Sequence, residues 1–470
     1  MKSRLFSLSL LAVLVFGALA TSCSKEQKLL EAVPSDVQQV GMFRLKSVME
    51  QAGCKFDDNG VTAPEWAKGG SANGLVGFAD CLEGSKVCDI NELAWAEKDR
   101  NLYMTMLVKS KDEFVEATAN VIEWGEEESG YKVGEMGDIG VFVNDERVWL
   151  DFMYPSHSTK AVDVLKYFIK PAEKESVAAL TGIAAMLESD NLVNIAVRQS
   201  PVPASGKSET KGQNPELQAL WSTAKLNIKD NKIVATSEFM KADGEVAKIK
   251  GLQPVNPAVL GYIPASCNIA LAFGLTPEFD WSMLTSAAIA SGGFQMQGMV
   301  AAVTPYLQAI DGTVMIAAGP ANDQAYSDIE PGNWHFILMA HMTQEKINSI
   351  LDMIRSTLFM NRVTPATTDD GVMVIPQYGM NFYVGNVDGY LGIANFPFNP
   401  NQQNELSPLF NGKDGALSID LPSLKLISPM APEFGVKVIS QFTGDKGSAE
   451  ITLPGTDEPI LQAILKAFMK

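Results

Sequence analysis

The sequence predicts an α+β protein made of two tandem, sequence-divergent copies of one unit, each an antiparallel sheet with helices. Three observations predict it. Strand-like runs close into hairpins more often than they alternate with helices. Five blocks of the first half recur in the same order in the second. At 470 residues the chain has room for two or three cores, at about 100–200 residues each. Composition agrees, since 46% hydrophobic and 20% charged residues describe a globular chain and not a disordered one.

The first element is a leader. Residues 1–23 read MKSRLFSLSLLAVLVFGALATSC, with Lys2 and Arg4 before an apolar run from Leu5 to Leu19. A membrane-spanning helix needs about 20 apolar residues, so residues 1–22 read as a secretory signal peptide. Ala20, Thr21 and Ser22 precede Cys23 and resemble a bacterial lipobox. That resemblance implies cleavage before Cys23, a diacylglycerol on its Sγ and an acyl chain such as palmitate on its amine. Each buried methylene contributes about 0.8 kcal/mol, so two or three chains anchor stably where one would not. Residues 23–27 then form the lipidated tether. Ser24 stands where an inner-membrane retention signal has Asp, which implies the outer membrane. Lys25 and Glu26 resemble the start of surface-directed lipoproteins, and the periplasmic and surface sides both stay open.

The repeated blocks come next. VPSDVQQVGMFRLKSV at 33–48 matches IPASCNIALAFGLTPE at 263–278, placing Val40, Met42 and Leu45 against Ala270, Ala272 and Leu275. Starting at Asn101 and at Asn333, a buried strand ends in a polar turn and leads into an amphipathic helix. An offset of 232 there pairs Phe114 with Lys346 and Val115 with Ile347. Hairpins at 141–152 and 382–396, strands at 192–197 and 416–421, and hairpins at 226–239 and 438–453 complete the series. Asp230–Asn231 and Gly444–Gly447 supply the turns of the last pair. The copies are therefore residues 28–250 and 251–470, joined through Gly251–Pro257. The polar stretch 200–215 reads as an exposed loop of the first copy. A last helix, Glu458–Met469, takes Asp457 as its cap and turns Ile460, Leu461, Ile464, Leu465 and Phe468 to a core. Ala287–Val303 is apolar but broken by Gly292, Gly293 and Gly298, so it does not read as a span.

The side chains that carry chemistry are sparse. Removing Lys2 and Arg4 from 37 basic residues leaves 35 against 55 acidic ones, which opposes nucleic acid and anionic surfaces. Of Cys54, Cys81, Cys88 and Cys267, the short LEGSKV loop makes Cys81 and Cys88 the expected disulfide, and Cys267 reads as a buried thiol. No metal-binding spacing occurs, and no cofactor is expected. His157, His335 and His341 are far apart, and His335 and His341 stand about 20 Å from each other along one strand. No nucleophile elbow, zincin or dinucleotide pattern is present. Asp57–Gly60 and Asp369–Gly371 read as turns, and Glu126–Glu128 as a solvated charge run in a loop. Trp66, Trp124 and Trp281 lie in loop- or helix-like contexts where exposed rings would stack on sugars, while Trp149 and Trp334 read as strand core.

The run LLEAVPSDVQQVGMFRLKSVMEQAG at 29–53, with the leader and Cys23, resembles an uncharacterised Bacteroidetes lipoprotein family, a domain of unknown function. Pro34, Asp36, Leu45 and Ser47 carry the likeness; the second half has Ser266 in place of the Asp. The family brings no activity with it. The expectation is a lipid-anchored cell-envelope protein, not an enzyme, with a binding or structural role and an unidentified protein or glycan partner. A glycan-binding accessory lipoprotein is the alternative, and a carboxylate-based hydrolase the third reading.

Overall fold

The computed structural model describes residues 29–57, 60–67, 87–88, 91–98, 101–128, 130–137, 139–152, 175–199, 220–281, 304–321, 333–377, 379–402, 404, 406–423 and 433–468. The leader, Cys23, Cys81, His157, the stretch 200–215 and Ala287–Val303 lie outside the described residues. The chain divides into two compact units. One joins the residues up to Ala247 to those from Asp457 onward, and the other runs Lys248–Thr456.

The first unit is an antiparallel sheet built from β1 (Gln39–Phe43), β4 (Leu93–Lys98), β5 (Asn101–Leu107), β6 (Glu123–Glu128), β7 (Tyr131–Met136), β8 (Ile139–Val143), β9 (Arg147–Asp151), β10 (Val193–Arg198), β11 (Leu220–Lys229) and β12 (Lys232–Lys241). A separate hairpin pairs β2 (Lys55–Asp57) with β3 (Gly60–Thr62). The pairings run β6–β7–β8–β9–β5–β4–β1–β10–β11–β12. Alternate side chains give the sheet two apolar faces. Val40, Met42, Ala94, Phe142 and Trp149 pack under the 29–37 segment and helix α3 (Thr181–Leu187). Phe43, Trp95, Met104, Val141 and Leu150 pack under α1 (Leu45–Gln51) and α2 (Lys111–Thr118), which inserts Phe114.

Local chemistry explains the turns. Asp230 and Asn231 join β11 to β12 with φ of 52° and 58°, the left-handed pair a two-residue hairpin needs. Glu126–Glu128 do not form a loop. They lie on β6, whose outward side chains are exposed, and Glu127 holds Lys111 at 2.8 Å. Acidic side chains along such a strand discourage pairing with another chain.

The last helix, α6 (Ile460–Phe468), departs from the sequence expectation twice. It packs Leu461 and Leu465 against Val48, Ala52 and Trp66, so it belongs to the first unit and not to the second. Its first free N–H, on Ile460, donates to Asn231 Oδ1 at 2.6 Å, so the β11–β12 turn does the work expected of Asp457.

The second unit contains β13 (Leu252–Gln253), β14 (Ile269–Leu275), β15 (Ile310–Pro320), β16 (Trp334–Met342), β17 (Ala366–Thr367), β18 (Met373–Gln377), β19 (Met380–Val387), β20 (Tyr390–Ala394), β21 (Gly415–Leu421), β22 (Val436–Thr443) and β23 (Lys446–Thr452). Its order is β17–β18–β19–β20–β16–β15–β14–β21–β22–β23, all antiparallel, with β13 added beside β14. One face, through Ala272, Met315, Ile337 and Met339, lies under the 3-10 turn Pro257–Tyr262 and Phe410 of the short α5 (Ser407–Phe410). The other receives Ile347, Ile350 and Leu351 of α4 (Gln344–Met360). No described helix is long and apolar enough to cross a membrane.

Candidate functional site

A network of polar side chains that includes a paired histidine sits at one end of the second unit's sheet. The pairing of β15 with β16 is irregular between Ile310 and Val314. Such a bulge re-aims the side chains it carries. Here Asp311 Oδ1 meets His341 Nδ1 at 2.7 Å. Gly312 makes room for the ring, because a Cβ there would stand 2.6 Å from His341 Cβ. His341 pairs across the strands with Tyr390, whose ring meets the imidazole edge-on at a centroid distance of 5.2 Å.

From Tyr390 the network runs outward. Asn256 Nδ2 donates to Tyr390 Oη at 3.0 Å, and the Asn256 backbone N–H donates to Thr313 Oγ1 at 2.8 Å. Tyr262 Oη donates to Asp388 Oδ2 at 2.5 Å in the β19–β20 turn. Asp388 and Gly389 both have positive φ, and Asn386 Oδ1 accepts from Gly389 N at 3.1 Å. Burial, and then the hydrogen bond to Asp388, push the Tyr262 phenol up, while burial alone raises Tyr390. Both therefore stay protonated donors at neutral pH.

This arrangement orients one imidazole and fixes which nitrogen faces the carboxylate. An oriented His–Asp pair is also the base half of a nucleophilic site. No serine or cysteine contacts His341 among the described residues, and no cluster of three metal-ligating side chains occurs among them. Asp311 and Tyr390 carried no sequence signal of their own. The glycine inside the DGT segment of an apolar strand was the usable one, since an isolated strand glycine marks a bulge or a close approach.

The residues nominated from sequence do not come together. Trp66 is half-buried against Val48, Ala52, Leu461 and Leu465. Trp124 packs edge-on against Phe114 at 6.1 Å, and Trp281 against Phe279 at 5.2 Å. Each ring is half-buried and packs in a different apolar cluster. Trp149 is core, and Trp334 is half-buried on β16. Cys88 Sγ lies 2.9 Å from Leu107 O, and its expected partner Cys81 is outside the described residues. Burial pushes the Cys54 and Cys267 thiols up, to about 11 and about 12, which keeps both unreactive.

His335 stands apart from His341. Its ring packs against Phe396 at 4.9 Å, and Nδ1 lies 3.4 Å from Ser266 Oγ. Burial lowers its pKa. The unfolded chain therefore takes up a proton before the folded one does, and stability falls as pH drops below about 6.5. His335→Gln is expected to flatten the pH dependence of the second unit's melting between pH 7 and 5. Thermal scans across that range check it, and an unchanged slope would exclude His335 as the cause.

No family model matches the chain, and no curated protein matches it. Several solved structures align over part of it. Crystal form III of TP0453 does so at TM-score 0.28 and 10% identity, covering 46% of this chain and 81% of that one. Crystal form I of TP0453 gives TM-score 0.27 and 11% identity over 45% and 78%. Overlap at this level carries no argument about fold or activity.

Proposed function

We propose that the chain is a lipid-anchored, non-catalytic protein of the cell envelope, built from two diverged copies of one antiparallel unit, with a binding or structural role. The observation that supports the two-copy part of this reading is the strand order. By rank along the chain, the ten strands from β1 and β4 through β12 pair in the same sequence as the ten from β14 through β23. The registers agree too. Gly41 faces Trp95 and Ile195, and 230 residues later Leu271 faces Ile316 and Leu417. Ser110 and Thr343 occupy one position as well, each accepting the N3 N–H of the helix that follows the third strand of its set, β5 or β16.

The non-catalytic part rests on how the polar network is used. Asp311–His341, Tyr390–Asn256 and Tyr262–Asp388 each join different elements, so the groups brace β15, β16, β20 and the Pro257–Tyr262 turn. His341 Nε2 looks toward Gly389, whose Cβ position would lie 3.9 Å away. That suits a strut better than a base awaiting a substrate.

Anchoring is tested in cells. The wild-type chain is expected to incorporate labelled palmitate and to partition into detergent. Cys23→Ala should do neither and should leave the membrane fraction, since the acyl chains supply the anchor. Palmitate incorporation by Cys23→Ala would sink the assignment. Protease shaving of intact cells then separates the surface from the periplasmic side, and with it an external partner from an envelope one.

A further inference from the structure

The fully buried side chains of helix α4 all lie in its first half, with Ile354 and Leu358 half-buried against the same core. Ile347, Ile350 and Leu351 are buried, whereas from Arg355 to Arg362 every side chain except half-buried Leu358 is exposed. The C-terminal end presents Phe359 at 84% and Met360 at 73% exposure, and Met353 about two turns earlier at 44%. Arg362 then reverses the chain with φ of 58°. Adjacent large apolar side chains so fully in water are unusual on a soluble surface, and they mark a contact.

We infer that this helix end is a membrane-contact tip, which inserts Phe359 and Met360 among the headgroups of an anionic bilayer. The geometry fits that occupant. Six residues of helix extend about 9 Å, against the roughly 5–10 Å depth at which apolar side chains lodge at the headgroup–acyl boundary. Charge points the same way. The chain carries −18, yet Arg355 and Arg362 bracket the apolar pair, and Asp352, 2.8 Å from Arg355, is the one acid between Leu351 and Arg362. Arg355 is offset by Asp352, and a cation such as Arg362 near an anionic surface strengthens binding roughly fivefold. The inference deepens the anchored reading, because a chain tethered through Cys23 meets the bilayer at high local concentration and needs only a weak second contact.

The test uses the mature chain from residue 23 with Cys23→Ser, so that no acyl chain contributes. It is co-sedimented with phosphatidylglycerol/phosphatidylethanolamine vesicles and with phosphatidylcholine vesicles. Binding to the anionic vesicles is expected. It should fall at least about tenfold in Phe359→Ser/Met360→Ser, whose sites are exposed and leave the fold intact. Arg362→Glu should weaken binding to anionic vesicles several-fold and leave phosphatidylcholine binding unchanged. No vesicle binding, or undiminished binding by the double variant, overturns the inference. So does self-association that the double variant abolishes, since the tip would then be an interface between copies. Failure of palmitate incorporation with vesicle binding intact would strike the anchored reading and leave the tip standing.

Discussion

Phe114→Ala is expected to cost the first unit about 3–5 kcal/mol, and Ile347→Ala to cost the second about 2–5 kcal/mol. Each side chain is fully buried beneath its helix and packed on the strand pairs β8–β9 or β19–β20. Aligned on the caps Ser110 and Thr343, both lie four residues into the helix. Domain stabilities run about 5–15 kcal/mol, so either loss is a large fraction of the whole. Hydrogen exchange distinguishes the units. Phe114→Ala should speed exchange in β8 and β9 and spare β19 and β20, and Ile347→Ala should do the reverse. Equal acceleration of all four strands by either variant would mean that the two halves unfold as one body, against two self-sufficient copies.

On the proposed two-copy reading, the sequence alignment of the halves holds in outline and slips in detail. A sequence offset of 232 sets Phe114 against Lys346. Counting from the caps sets it against Ile347, and the strand registers set Met104 against Leu338. Strand alternation has a period of two, so a two-residue slip leaves the same face buried and hides in the hydrophobic pattern. The turns were readable for the opposite reason: left-handed backbone at Asp230 and Asn231 admits few residue types.

The tryptophans were the least legible. A ring in a loop or short helix looks available in sequence, but Trp66 is partly covered by the final helix, distant in the chain, and Trp124 by Phe114 of α2. One register position makes the same point. Trp95 is 2% exposed in the first unit, where Gly41 leaves it space, whereas Ile316 at the matching place in the second is 44% exposed. Residue type alone predicts neither value, because covering is decided by what packs above the sheet. The bulge that turns Asp311 toward His341 was missed for a similar reason, since a hydrophobic run with one Asp-Gly in it still reads as a strand.

A chain ending at Thr456 is expected to lose the first unit and keep the second. The final helix shows a strongly apolar face, which told that it would be buried but not against what. Its Ile460, Leu461 and Leu465 are each at most 4% exposed, and it covers Val48 of α1 and Ala52 just past its end. At about 1.5–3 kcal/mol for each large side chain, their removal withdraws roughly 5 kcal/mol, even taking the low end. That approaches the entire stability of a domain of this size. Limited proteolysis of the shortened chain should cut within residues 29–247 while a fragment spanning 248–456 survives. Asn231→Ala gives the graded version: it removes the acceptor for the Ile460 N–H and is expected to cost about 1–2 kcal/mol, read as a lower melting temperature of the first unit alone. A shortened chain in which the first unit resists protease as before would sink this account and restore residues 28–250 as a self-contained fold. The expected outcome makes the second unit an insertion: its chain leaves the first unit after Ala247 and returns at Asp457 to complete it. On that arrangement, damage near the C-terminus should surface first in the unit that holds the N-terminal half.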